Sequence, residues 1–413
     1  MKKMLSLISA GVVALSALTA CEPKEKPADE QSKSEDLQIT FPDDILSGAT
    51  ADIPDVTVDK YQVPDNEALN FVRNLKIGWN LGNTFDTTNV NCQTDLEYEK
   101  AWCGTYTTIE DIAAIKAAGF QTIRIPVSWH DHVDENFKIN AEWMNRVKEV
   151  VDWCLACDLY VIVNTHHDND EKFYYPDSAH LESSKKYLTA VWTQMGEAFA
   201  KYDDHVILES LNEPRLVNTN FEWWIDPNNA QCKDAISCIN TLNQLFVDTI
   251  RGCGGGNETR YLMCPGYDAS ADGALNAGYV LPTDAQNRVI VSVHAYTPYS
   301  FALDKKGTDS FDMNNGTDTG EILKFMDGLY GKFVMNGIPV VIGEFGALNK
   351  DNLEERIAFS AYYIAAARGR GISCCWWDNN AFSGSGENFG LLYRKNAKFM
   401  YPDIVKALMK YAG

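Results

Sequence analysis

The chain has 413 residues, 45% of them hydrophobic and 11% aromatic, enough for one large domain or two ordinary ones with a sizeable core. Its 36 basic and 57 acidic residues leave a formal net charge of −21. That balance argues against nucleic acid or an anionic membrane surface as partner, because phosphate binding needs clustered Lys and Arg.

The chain opens on Lys2 and Lys3 and then an apolar stretch from Met4 to Ala20, which reads as a signal peptide over residues 1–20. Leu18-Thr19-Ala20-Cys21 resembles a bacterial lipobox, so Cys21 is the expected lipidation site. An acylated terminus holds a protein to a membrane without a spanning helix, and no other apolar run is long enough to span. The expected location is therefore the cell envelope after export, and the acidic stretch behind Cys21 suits display on the outer surface. Residues 21–62, rich in Glu, Lys, Asp, Ser and Pro, read as a flexible tether, which leaves 63–413 as a single folded domain.

From residue 63 onward, short β-rich runs alternate with amphipathic helical stretches. The runs are Leu75 to Asn80, Thr122 to Val127, Tyr160 to Asn164, Val206 to Leu211, Tyr261 to Cys264, Val289 to His294, Val340 to Glu344 and Ser373 to Asp378. Between the first two, Thr107-Thr108-Ile109-Glu110 reads as a capping box, and Gly119 marks the end of the helix it opens. Eight such units predict an α/β fold, a single (β/α)8 TIM barrel, with a doubly wound open sheet as the alternative. Each run ends in polar or aromatic residues: Asn80/Asn83, Arg124, His166-His167, Asn212-Glu213, Tyr267, His294/Tyr296, Glu344 and Trp377/Asp378. In a barrel these ends meet on one face, where active sites lie.

Eleven cysteines leave ten once Cys21 is set aside, an even number for an oxidising compartment. The pairs close in sequence, Cys92/Cys103, Cys232/Cys238 and Cys253/Cys264, are expected to be disulfides. Cys154 and Cys157 read as buried thiols on a helix, and Cys374 and Cys375 point to opposite faces of a strand.

The two strongest segments are Val206 to Arg215, which runs into Asn212-Glu213-Pro214, and Pro339 to Gly346, which ends Gly343-Glu344-Phe345-Gly346. Each puts a glutamate just past a buried strand. Cleavage of a glycosidic bond with acid assistance needs two such carboxyl groups, one to protonate the leaving oxygen and one to attack the sugar carbon or activate water.

Seven segments, in order, resemble glycoside hydrolase family 5, and within it the subfamily 4 endoglucanases. They are Gly78-Trp79-Asn80-Leu81-Gly82-Asn83-Thr84, Ile123-Arg124-Ile125-Pro126-Val127-Ser128-Trp129, Asn164-Thr165-His166-His167, Leu211-Asn212-Glu213-Pro214-Arg215, His294-Ala295-Tyr296, Ile342-Gly343-Glu344-Phe345-Gly346 and Trp376-Trp377-Asp378. The resemblance covers residues 70 to 380. It implies a retaining endo-β-1,4-glucanase with Glu213 as acid/base and Glu344 as nucleophile, so that Glu213 starts protonated and Glu344 ionised. The expected partner is a β-glucan, cellulosic or mixed-linkage, with xyloglucan as the alternative. The chain is expected to act as a monomer, with no cofactor and no catalytic metal.

Around the pair, Arg124 is expected to keep Glu344 ionised and Asn212 to bond the sugar 2-hydroxyl. Tyr296 is expected to hold Glu344, and His294, two residues earlier on the same face of the strand, to orient Glu213. His166 supports the site, His167 reaches towards sugar, Trp377 forms the platform under the −1 sugar and Asn83 contacts a more distal subsite. Trp79 and Trp376 read as packing, while one or two of Trp102, Trp129, Tyr174, Trp223 and Trp224 line the cleft. A Cys92–Cys103 bridge would rigidify the loop between them, and Asp304 to Gly320 forms a polar, solvated insertion. Two rival readings remain: a glycan-binding lipoprotein without turnover, disfavoured by the intact glutamate pair, and a metal-dependent barrel hydrolase. The second fails because the first strand carries no His-x-His and the adjacent His166 and His167 point apart.

Overall fold

The structure is a computed structural model, described here for residues 39–413. The expected signal segment and Cys21 lie outside the described residues. Eight parallel strands close into a barrel in sequential order: β1 (Ile77–Leu81), β2 (Thr122–Ile125), β3 (Tyr160–Val163), β4 (Val206–Glu209), β5 (Leu262–Ser270), β6 (Val289–His294), β7 (Val340–Phe345) and β8 (Ser373–Asp378). β1 pairs with both β2 and β8, so no edge is left, and the open-sheet alternative falls away.

Strand alternation divides the core in two. One set of side chains, including Ile123, Val161, Leu208, Val291 and Ile342, faces outward into the layer of helices. The other, Ile162, Ile207, Met263, Ile290, Val341 and Cys375, fills the lower barrel interior together with Ala68, Phe71, Val72 and Leu75 of the helix Glu67–Leu75. That helix plugs the bottom of the barrel: Thr122 Oγ1 donates to Leu75 O and Ser373 Oγ to Val72 O. With the bottom closed, the upper end is the face left for chemistry. The helix Ile109–Ala117 starts one residue later than the expected capping box. Thr108 is its N-cap and Asp111, not Glu110, returns the bond. Gly119 follows it at φ +105°, where a Cβ would meet Met409 at 2.9 Å.

Two expectations are corrected. The tether does not extend to residue 62. Ile39, Ile45, Leu46, Ile53, Val56 and Val58 pack on the body, and the backbone is strapped down by Ala51 N–H to Asp403, Val56 N–H to Tyr411 and Tyr61 N–H to Gly369 O. The expected disulfides are absent: all ten cysteines from Cys92 to Cys375 are free thiols. Cys232 and Cys238 lie on one helix, Ala230–Gly252, where six residues of rise separate them by about 9 Å, beyond what a disulfide spans. Cys253 ends that helix with its sulfur against Gly196, whereas Cys264 is buried in β5. The loop carrying Cys92 and Cys103 is held by other means: Tyr98 hydroxyl to Val90 O, and Arg146 paired with buried Glu99 at 2.8 Å. Among the described residues no helix is long and apolar enough to cross a membrane.

Candidate active site

The upper barrel layer is polar because the alternation that puts Ile207 and Ile290 inside puts Glu209 and Ser292 inside one step further along. Arg124 stands at the centre of this layer, fully buried. Its Nε donates to Glu209 Oε2 at 2.8 Å, Nη1 to Glu344 Oε1 at 2.7 Å and to Asn80 Oδ1 at 3.1 Å, and Nη2 to Asn212 Oδ1 at 2.8 Å. Burial works against its charge, but Glu209 and Glu344 outweigh it and hold the guanidinium protonated. Glu209 also accepts from Ser292 Oγ at 2.5 Å. Asn80 Nδ2 donates to Gly343 O at 2.8 Å, which fixes the backbone next to Glu344.

Glu344 is the next-to-last residue of β7 and 5% exposed. Both of its oxygens are engaged, Oε1 by Arg124 and Oε2 by the Tyr296 hydroxyl at 2.9 Å. Glu213 follows β4, and its Oε1 lies 2.8 Å from His294 Nδ1, which in turn lies 3.7 Å from Glu344 Oε2. One carboxylate oxygen each from Glu213 and Glu344 and one ring nitrogen of His294 all fall within 4.8 Å of one another. Retaining glycosidases place their carboxyl groups about 5–5.5 Å apart, and inverting ones leave more room for water.

The sequence suggests a Glu213 that starts protonated. Burial does push its carboxyl up, but the bond and charge of His294, with Arg215 and His167, outweigh it and bring the group down to about 2.

The remaining expected residues fall as follows. Asn212 is buried and spends its carbonyl on Arg124, which leaves its amide hydrogens to donate. His166, buried and pushed down chiefly by that burial, contacts Asn164 at 3.1 Å and lies parallel to Trp377 with ring centres 6.0 Å apart. Trp377, 8% exposed, packs with Leu348, Phe389 and Tyr296. The adjacent His167 ring opens to solvent and tilts towards Trp102, 6.0 Å away. Asn83 takes φ +56°, its N–H bound to Asp86. Trp79 and Trp376 are packing: they are fully buried, and their indole N–H groups go to Asp378 and Phe389 O. Trp129 and Tyr174 are also fully buried, so of the five aromatic candidates Trp102, Trp223 and Trp224 remain exposed. Trp223 stacks on Arg215 at 4.0 Å. Within the insertion, Lys305 reaches across to Ser385 O in the loop after β8.

Sequence reasoning named Asn80 only as a strand end and missed Glu209 and Ser292 as parts of the site. The signal for Glu209 is its place two residues after buried Ile207, on the same inward face.

A closed parallel barrel with two carboxyl groups this close, one just past β4 and one near the end of β7, has the arrangement that glycosidic cleavage requires. Residues 81–383 match the family model described as cellulase, glycosyl hydrolase family 5. Endoglucanase B of Ruminococcus albus is 37% identical over 100% of this chain and 97% of its own length, and endoglucanase A of Clostridium longisporum is 40% identical over 89% and 71%. Among solved structures, a family 5 lichenase from Caldicellulosiruptor sp. F32 is 52% identical, with a TM-score of 0.87 over 88% of this chain and 100% of that one. A broad-specificity endoglucanase of subfamily 4 from Ruminococcus champanellensis, with cellotriose bound, is 42% identical, with a TM-score of 0.78 over 84% and 100%. The chain belongs to glycosyl hydrolase family 5 and is an enzyme of the endoglucanase type.

Proposed function

We propose that this chain is an exported, lipid-anchored retaining endo-β-1,4-glucanase acting on cellulose-type and mixed-linkage β-glucans. The observation that carries the reading is the Glu213–His294–Glu344 cluster within 4.8 Å. Glu344, oriented by Arg124 and Tyr296, attacks the anomeric carbon as the bond to the leaving oxygen breaks and Glu213 protonates that oxygen. Water then loses a proton to Glu213 while its oxygen replaces Glu344 on the sugar. Asn212 presents an amide donor to the 2-hydroxyl, a contact that strengthens as charge develops at the ring. Trp377 lies beneath the sugar at the point of cleavage, and His166 packs beside it. Asn83, His167 and Trp102 line the same face further out.

The test is kcat/KM on barley β-glucan, carboxymethylcellulose and xyloglucan, with the anomer of the first product read by NMR. A β product is expected, with the unbranched glucans preferred. An initial α product would overturn the retaining mechanism, and a preference for xyloglucan would overturn the substrate assignment. In Glu213→Gln the loss on glucan should be about 100-fold or more. It should be far smaller on dinitrophenyl cellobioside, whose leaving group needs no proton.

The lipid anchor rests on Lys2-Lys3, the apolar stretch to Ala20 and Cys21. Cys21→Ala should move the protein from the membrane to the soluble fraction of the envelope. Unchanged membrane association would remove the anchor from this account.

A further inference from the structure

Asn164 follows β3 and is fully buried, two residues before His166. Its backbone oxygen accepts from Trp129 Nε1 at 3.0 Å, which holds the residue in place. Val127, two residues past β2, binds both Asn164 and His166. Its N–H donates to Asn164 Oδ1 at 3.0 Å, and its carbonyl oxygen accepts from His166 N–H at 2.8 Å.

A backbone N–H can only donate, so the Asn164 atom that meets Val127 is the carbonyl oxygen. The other end of the amide is then the NH2 group, which can only donate. Asn164 Nδ2 lies 3.1 Å from His166 Nδ1, so Nδ1 is the acceptor of that bond. Burial pushes the His166 ring well below the usual histidine range, and the nearby His167, Arg124, His294 and Arg215 add to the effect. The ring is therefore neutral and carries one proton, which the bond from Asn164 leaves to Nε2. Among the described residues no protein group bonds Nε2. The ring lies parallel to Trp377, 6.0 Å away, beside the platform under the sugar at the point of cleavage.

We infer that Asn164 is a positioning residue that fixes His166 as the Nε2–H tautomer, so that a neutral donor faces a hydroxyl oxygen of the bound glucan. The inference rests on the glucanase reading above. An unbonded neutral imidazole can carry its proton on either nitrogen. Fixing the proton beforehand removes that choice from the cost of binding. The charged or titratable groups facing the ring are Asp86 from the loop after β1, Arg124 from β2, the adjacent His167, Arg215 from the loop after β4 and His294 from β6.

The experiment is NMR of the full chain labelled at histidine, reading the ring-nitrogen shifts of His166, whose signal is identified by its loss in His166→Gln. Wild type should show the Nε2–H tautomer and no titration across the neutral range. In Asn164→Asp one carboxylate oxygen keeps the Val127 N–H and the other takes the bond of a protonated Nδ1. Nε2 then donates only while the ring is an imidazolium. For this variant kcat/KM on barley β-glucan should be about tenfold lower than wild type wherever NMR shows the ring neutral. His166→Gln, whose amide N–H reaches towards the place of Nε2, should keep about tenfold more activity than His166→Leu. An Nδ1–H ring in wild type, or an Nδ1 without its proton in Asn164→Asp, would overturn the inference. So would a neutral ring in that variant with wild-type kcat/KM, or equal activity in the two His166 variants. A lowered Tm and kcat/KM in Asn164→Asp with the wild-type tautomer intact would make Asn164 a residue of the fold alone. Failure of the glucanase reading looks different: Glu344→Gln would keep its turnover whatever the His166 tautomer.

Discussion

Glu344→Gln is expected to lower kcat/KM on barley β-glucan by about four orders of magnitude or more, because the amide cannot form the glycosyl-enzyme. The substitution preserves shape, so folding should survive. Arg124 keeps Glu209 as its buried partner at 2.8 Å, and the charge of Glu344, crowded against Glu213 by the 3.7 Å contact to their common His294, is gone. Tm should stay the same or rise, as happens when a site strained for function is relaxed. In Glu344→Gly, added azide should restore turnover and give an α-glycosyl azide, since the small anion enters from the face that the carboxylate used. Activity that survives Glu344→Gln, or a β-glycosyl azide from the glycine variant, would refute the assignment.

Arg124→Met should damage stability and catalysis together. The guanidinium is fully buried and bonds Glu209, Glu344, Asn80 and Asn212. Removing one side of a buried pair leaves an uncompensated charge and costs about 3–5 kcal/mol. Here Glu209, with no exposed surface and one remaining bond from Ser292, bears that cost. Activity should fall by roughly 100-fold or more, because Glu344 and the Asn212 carbonyl both lose the donor that aims them. Glu209→Gln should recover part of the lost stability in the double variant but little of the activity. Thermal unfolding with kcat/KM for the single and double variants measures both. A double variant no more stable than Arg124→Met would mean that Glu209 is not the source of the cost.

The barrel was legible because its strands carry a strong pattern. Outward residues such as Val161, Leu208 and Ile342 are apolar, and each run stops at a polar residue when it leaves the core. The tether was misread past residue 38 because Ile45, Ile53, Val56 and Val58 follow no helical or strand period. They bind by landing on a surface already formed, and no local pattern records that. The disulfides were misread because an even cysteine count says nothing of Cβ geometry, and one proposed pair lies on a single helix.

By itself, the sequence determined the class of fold and singled out two glutamates and most of the residues that the barrel gathers around them, because each is a strand-end residue marked by its own local segment. Only the tertiary structure decided which groups share charge. Arg124 touches residues 85 and 220 positions away, and Glu213 meets His294 across 81. A pKa is set by the charges and burial around a group in space, so the lowering of the Glu213 carboxyl by its neighbours could emerge only once the barrel had closed.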